Sequence, residues 1–473
     1  MKTVQSILRQ PIFFSQKLWL RSYSTKYQEA PSSWKAMLNL KHIYEHSGEI
    51  HQNCVNRNMR AVAETLPTIK SLYEEHTAVR NQLTPYVSEK NKITGLIKSS
   101  KDGEHRSFLV SEAKNIKVKI DSIEKLSSDI QKKLYHYCLS LPNSTLPSVP
   151  LGSEDNAVCV ASIGEQKNLN EKNFYIKDHL ELAGDAIDLL SASETSGHAF
   201  CYIKGEVAEL EMSLINYAID FAKSRGWSLV IPPSIVRSDV ALACGFQPRD
   251  EQGEQIYQLE NQYESNSPKQ CLVGTAEISL ASLGFRQTFH DLKEKRVVGV
   301  SRSYRREAGA RGRDTKGLYR LHEFTKVELF SWTHPSQSSR VFDDIIKLQI
   351  DFIHSLGLSA RVLNMPTQEL GAPAAQKYDI EAWMPSRAKF GEISSTSNCL
   401  DYQARRLLTR YKNSKDSGFV HTLNGTAAAI PRLVIALLES HQQPDGSVVL
   451  PQCLIPYLKK EKLFVPNEKE VSE

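Results

Sequence analysis

No stretch of the 473-residue sequence runs for about 18 apolar residues without a polar break, so no segment of it reads as a membrane-spanning helix. Eight cysteines are scattered without C-x-x-C or Cys/His spacing, which excludes a four-coordinate zinc site and leaves reduced, buried thiols as the expectation. No G-x-G-x-x-G follows a strand-like run and no G-x-x-x-x-G-K-[ST] occurs, so nucleotide binding, if present, must use a scaffold other than a dinucleotide-binding βαβ unit or a P-loop. Internal repeats are absent. Charge of one sign is also scarce: 59 basic residues stand against 54 acidic ones. The whole excess lies in residues 1–28, which hold Lys2, Arg9, Lys17, Arg21 and Lys26 and no acid. Beyond them the chain is formally neutral, and contact with nucleic acid must rest on local patches.

What is present, 40% apolar and 24% charged residues, fits a soluble globular chain of two or three domains with no membrane partner. The acid-free, hydroxyl-rich residues 1–28 predict a mitochondrial transit peptide, with Arg21-Ser22-Tyr23-Ser24 similar to a matrix-protease cleavage site, and hence a matrix location. Residues 34–141 form a predicted N-terminal domain. Within it Ile69, Leu72, His76, Val79, Leu83, Tyr86, Ile93 and Ile97, then Leu109, Ala113, Ile116, Ile120, Ile123, Ile130, Leu134 and Tyr137, recur by threes and fours. That spacing predicts two long helices in an antiparallel coiled-coil hairpin, kinked or restarted at Pro85. Near its tip Lys90, Lys92, Lys98, Lys101, Arg106, Lys114, Lys117 and Lys119 face only Asp102, Glu104 and Glu112. A basic arm suits a phosphate backbone, and a solvated coiled-coil face fits the charge equally well. Residues 142–177, opening on PNSTLPSVPLGSEDNA, read as a linker, and 178–473 as a second domain in which helical patterns such as Glu206 to Ser224 alternate with strand-like runs. Four such runs are Ser228 to Ile231, Arg296 to Ser301, Lys326 to Ser331 and Tyr378 to Met384.

Between two apolar stretches of that domain, Arg305, Arg306, Glu307, Arg311, Arg313, Asp314, Arg320, Glu323, Lys326 and Glu328 crowd together around Gly309, Gly312 and Gly317. Such density is costly to fold unless the charges face a polyanion or one another. A hairpin with arginines at its base suits the clamping of a phosphate, and a salt-bridged surface hairpin remains the plainer alternative.

The same stretch, Tyr304-Arg305-Arg306-Glu307-Ala308-Gly309 through His322-Glu323-Phe324-Thr325-Lys326-Val327-Glu328, resembles motif 2 of the seryl-tRNA synthetases. Upstream, Thr275-Ala276-Glu277 is similar to the family's serine-recognition loop, and Gly226 to Pro233 to motif 1, its dimer-forming element. Downstream, Glu392-Ile393-Ser394-Ser395-Thr396-Ser397-Asn398-Cys399 with Asp401 to Arg406, and Leu423-Asn424-Gly425-Thr426 to Arg432, resemble the metal-binding strand and motif 3. The helical hairpin resembles the family's tRNA-binding arm.

The resemblance implies an α+β architecture: a class II antiparallel sheet flanked by helices and preceded by the coiled-coil arm. It implies serine–tRNA ligase activity in mitochondrial translation, with ATP, L-serine and tRNA-Ser as partners in a homodimer. Arg305, Glu392 and Arg432 would be catalytic. Arg305, Arg306, Glu307, Leu321, Phe324, Glu392, Ile393, Ser394, Ser395 and Arg432 would hold ATP, with Mg²⁺ on Glu392 and Ser395. Thr275, Ala276, Glu277, Arg305, Glu328, Asn424 and Thr426 would hold serine. Lys90, Lys92, Lys98, Lys101, Arg106, Lys114 and Lys117 would meet tRNA. Arg306 stands where the family often has serine, and Ala427 and Pro431 where it commonly has glycine. Those two predict a tighter approach to ligand and a missing amide donor early in the motif 3 helix. Arg405 and Arg406 are open between a site role and a surface role. The alternative to an enzyme is a synthetase-like RNA-binding protein keeping dimer and arm.

Overall fold

A computed structural model describes residues 34–165, 175–246, 256–260, 268–306 and 317–464. The expected transit peptide and Glu307 lie outside the described residues. The chain divides into two units, residues 38–144 and the remainder on either side.

In the smaller unit, helices α1 (Leu66–Ser99) and α2 (Gly103–Leu139) run antiparallel. Ile93, Leu109, Ile116 and Ile120 are buried between them, with Leu83, Tyr86, Ile97 and Ala113 packed alongside. This is the seam that the heptad spacing marks, and each buried aliphatic is worth about 1.5–3 kcal/mol against exposure. The turn is set by Asp102, whose carboxylate accepts from Glu104 N–H at 3.1 Å. At the root, Cys54, Val62, Leu66, Ile69, Leu134 and Cys138 close a second cluster. Pro85 does not restart the helix: α1 continues through it. The carbonyl that loses its donor belongs to exposed Asn81 and faces water.

The larger unit is built on one eight-stranded sheet. In chain order its strands are β1 (Val158–Ile163), β2 (Ser228–Val230), β3 (Glu294–Tyr304), β4 (Glu323–Thr333), β5 (Ala360–Asn364), β6 (Gln376–Met384), β7 (Lys389–Asn398) and β8 (His421–Ala429). Their spatial order is β1-β5-β6-β7-β8-β4-β3-β2, antiparallel except for the β2–β3 pair. The central strands are apolar on both faces. Leu329 pairs with Val298 and Phe330 with Val297; the first pair packs under helices and the second in a separate cluster on the other side. That alternation explains why the sequence there reads as continuous hydrophobic runs. Helices α3 (Gly205–Lys223), α5 (Ser338–Ser355) and α7 (Ile430–His441) supply Leu210, Leu214, Ile345, Phe352, Leu433 and Leu437 to the first cluster. Two short helices, α4 (Ala276–Ser282) and α6 (Tyr402–Leu407), lie with the second.

Two expectations need correction. Residues 142–177 are more than a linker, because β1 pairs along β5 and Val149 is buried against Leu370 and Ala374. The proline- and serine-rich opening obscures the short strand that follows. Pro431 lines the cleft and occupies the first turn of α7, where a backbone N–H has no partner within the helix, so the helix itself loses no hydrogen bond. Ala427 is buried in the core cluster and narrows nothing in the cleft described next. Among the described residues no helix is long and apolar enough to cross a membrane.

Candidate active site

Residues of β4, β7 and β8, together with residues 318–321, line a cleft that opens to solvent. Arg305 projects into it from just beyond β3. Its backbone is fixed on both edges, donating to His322 O at 2.9 Å and accepting from His322 Nδ1–H at 2.8 Å. Its Nε donates to Gly274 O at 3.2 Å, and its guanidinium lies 5.4 Å from the Phe324 ring centroid. A cation and an aromatic face thus flank one slot, which suits a planar base joined to phosphate.

Across the slot, β8 runs directly into α7 and puts Arg432 in the first turn of that helix. Arg432 donates to Glu392 O at 2.8 Å, to Glu392 Oε2 at 3.0 Å and to Tyr319 O at 3.3 Å. Burial by itself would push the Glu392 carboxyl up, but Arg432, then Lys377 and Arg305, overcome it and hold it at about 2. It is therefore ionised at neutral pH, a partly exposed anion lining the same cleft as Ser395, and an all-oxygen pair of this kind suits a hard cation that keeps most of its waters. The pairing of β6 with β7 slips between Ile380 and Glu381, next to Glu392, and that of β4 with β8 slips between Val327 and Glu328. These bulges re-aim the site side chains. Gln349 of α5 spans them, donating to Ser395 O at 3.0 Å and Thr426 O at 2.9 Å.

Behind Arg305 lies a buried cluster of acidic residues. Thr275 caps α4, its hydroxyl accepting from Glu277 N–H at 3.3 Å and from Lys326 Nζ at 3.5 Å. Lys326 pairs with Glu328 at 2.9 Å, both side chains nearly inaccessible. Gln403 of α6 donates to Glu277 Oε1 at 2.7 Å and is itself held by the Thr422 hydroxyl at 2.7 Å. Burial first, then the neighbouring Glu328, push the Glu277 carboxyl up to about 7. Burial also raises Glu328, against the pull of Lys326. Two carboxyls thus share one lysine, and the site gains if a second cation enters.

Of the residues expected to bind ligand, Arg305, Leu321, Phe324, Glu392, Ile393, Ser394, Ser395, Thr426 and Arg432 line this one cleft. Thr275, Ala276, Glu277, Glu328 and Asn424 are buried behind it. The Ser394 hydroxyl is committed to Thr426 O at 2.6 Å, and the Asn424 amide to Cys399 Sγ at 3.6 Å. Arg306 departs from expectation: it is exposed past the end of β3 and does not line the cleft. Arg405 is half-exposed and pairs with Asp401 at 2.7 Å, while Arg406 is buried and donates to Tyr402 O at 3.1 Å, so neither reaches the cleft. Sequence reasoning gave no role to Lys326, Tyr319, Gln349 or Gln403. Lys326 was within reach, because a strand residue two before Glu328 shares its face; the others depend on long-range packing.

A model of the tRNA synthetase class II core domain (G, H, P, S and T) matches residues 257–441, and one of the seryl-tRNA synthetase N-terminal domain matches residues 37–145. The chain is 58% identical to a mitochondrial serine–tRNA ligase of Schizosaccharomyces pombe over 96% of its own length and 95% of that protein's. It is 39% identical to the mitochondrial serine–tRNA ligase of Saccharomyces cerevisiae, covering 90% and 96% of the two chains. The crystal structure of seryl-tRNA synthetase from Pyrococcus horikoshii complexed with ATP superposes with a TM-score of 0.82 at 33% identity, over 91% of this chain and all of that one. From the arm to the motif 3 helix, the chain belongs to the seryl-tRNA synthetase family of class II aminoacyl-tRNA synthetases.

Proposed function

We propose that this serine–tRNA ligase activates L-serine in the cleft and pocket around Arg305, in a homodimer of the mitochondrial matrix. The observation that carries the reading is the position of Arg305, between an aromatic-walled slot and a buried cluster with two carboxyls. A serine carboxylate oxygen attacks the α-phosphorus of ATP, the bond to the bridging oxygen breaks, and pyrophosphate leaves. The terminal ribose hydroxyl of tRNA-Ser then attacks the carbonyl carbon of seryl-adenylate, and AMP leaves.

Arg305 serves both substrates, holding the serine carboxylate and the α-phosphate as charge develops there. Phe324 stacks on adenine, with Leu321, Ile393 and Ser394 as walls; Glu307, which lies outside the described residues, completes the expected ATP set, and Arg306 has no contact role in it. Glu277 and Glu328 hold the serine ammonium with Thr275 and the wall residue Ala276, while Thr426 and Asn424 face its hydroxyl. An analogue lacking that hydroxyl leaves buried groups unpaired. Glu392 and Ser395 would hold Mg²⁺, which supplies charge neutralisation to the triphosphate. Arg432, paired with Glu392 in the resting site, exchanges that partner for the γ-phosphate. No side chain acts as a covalent nucleophile, so positioning and preorganised charge carry the rate.

Lys90, Lys92, Lys98, Lys101, Arg106, Lys114 and Lys117 lie on the arm, all exposed except the partly buried Lys90, and hold the tRNA backbone. Ile231, 84% exposed, and the exposed Leu229 lie within motif 1 and support dimerisation around it. The matrix location is supported by residues 1–28 and by the mitochondrial relatives. The test is serylation of mitochondrial tRNA-Ser by the purified chain. Serylation that is lost in Glu392→Ala and Arg432→Ala is expected, and equal charging by wild type and both variants would refute the assignment.

A further inference from the structure

Two buried ionisable side chains beside the cleft have no part in the chemistry above. His179 is 5% exposed and Glu439 is fully buried, yet 260 residues separate them. The Glu439 carboxylate accepts three hydrogen bonds: from His179 Nδ1–H at 3.2 Å, from His179 N–H at 3.3 Å and from Ser386 N–H at 3.1 Å. On the other side of the ring, Leu318 N–H points at His179 Nε2, 3.3 Å away. A backbone amide only donates, so Nε2 is the bare nitrogen and Nδ1 carries the proton toward Glu439.

The ring is pressed against Gly317, whose φ is +64° and whose position tolerates no Cβ, since one would collide with Nε2. The residues fixed in this way are walls of the cleft. Leu318 and Tyr319 both line it, Tyr319 O accepts from Arg432 Nε, and the Tyr319 ring lies 4.2 Å from the Arg387 guanidinium and 4.7 Å from that of Arg432. Glu439 sits on α7 seven residues after Arg432, about two turns along the same face. One helix therefore carries both the arginine that meets Tyr319 and the acid that orients the histidine holding Leu318.

We propose that His179, oriented by Glu439, is a positioning residue for the ATP subsite: its bare Nε2 anchors Leu318 and so fixes the Tyr319 carbonyl and ring against Arg432. The inference rests on reading the cleft as the ATP site. Removing the acceptor should loosen the wall that ATP meets and leave the serine pocket behind Arg305 intact.

The test is serine-dependent exchange of pyrophosphate into ATP by the full chain, with KM measured for both substrates. His179→Phe keeps the ring and removes the acceptor, and one lost hydrogen bond is expected to raise KM for ATP about tenfold with KM for serine unchanged. His179→Gln keeps an acceptor at the Nε2 position and is expected to restore KM for ATP to within about threefold. An unchanged KM for ATP in His179→Phe, or a parallel rise in both constants, overturns the proposal. If His179→Phe does not fold, Glu439→Gln decides, because its amide must turn an N–H toward one of three donors. A rise confined to KM for ATP supports the proposal, and no rise or a parallel one overturns it. Absence of exchange in the wild type would instead refute the ATP-site reading itself.

Discussion

Glu277 should make serine binding depend on pH in the neutral range. It is buried beside Glu328, and those two influences raise its carboxyl to about 7, from an ordinary 4.5. A serine ammonium needs the ionised form. With a titration point of about 7, roughly a tenth of the empty sites are ionised at pH 6 and roughly nine tenths at pH 8, so the apparent KM for serine should fall about tenfold between them. The stability consequence has the opposite sense. Between pH 4.5 and 7 the folded chain holds a proton that the unfolded chain has lost, so unfolding becomes easier as pH rises, by about 3 kcal/mol in all. Both slopes belong to one group, and Glu277→Gln should flatten both while raising KM for serine at every pH. The assays are pyrophosphate exchange at pH 6, 7 and 8 with ATP saturating, and urea unfolding of the unliganded protein over pH 4.5–8. A flat KM profile in the wild type, or the same slope surviving in Glu277→Gln, would refute the reasoning.

Other outcomes follow from single contacts. Lys326→Met leaves Glu328 buried without its cation and should cost about 3 kcal/mol at pH 7.5 in urea unfolding, the loss shrinking in acid as the Glu328 carboxyl protonates. Deleting residues 89–119 should spare pyrophosphate exchange and abolish tRNA charging; equal loss of both would contradict a separate tRNA-binding arm. Trp34 is buried against Phe285 and donates to Arg406 O at 2.6 Å, so Trp34→Ala should cost about 3 kcal/mol in urea unfolding, and a processed N-terminus should retain the residue.

How much of this was legible from sequence depends on the range of the interactions. The arm was, because Leu109, Ile116 and Ile130 repeat a local seven-residue signal that needs no knowledge of the rest of the chain. The inner strands were placed because Val297-Val298 and Leu329-Phe330 are apolar on both faces, although β3 and β4 extend beyond the runs first marked. Strand β1 was hidden, since Val158, Cys159 and Val160 gain their meaning from pairing with β5 some 200 residues later. Within the site, Arg305, Glu392 and Arg432 stood out through motif resemblance. The residues that hold them did not. Gln349 and Gln403 are ordinary helix residues until the fold brings them to strand carbonyls and to Glu277, and His179 and Glu439 find each other only across the finished core. Arg306 and Arg406 show the converse, since arginines in a motif carry no information about which way the backbone turns them.

The central claim is that the pocket behind Arg305 activates serine and no other amino acid. Amino-acid-dependent exchange of labelled pyrophosphate into ATP, run on the purified chain with serine, threonine, alanine, proline and glycine in turn, tests it most directly. Exchange with serine alone is expected. Exchange driven equally well by any of the other four, or none with serine from folded protein, would contradict the account.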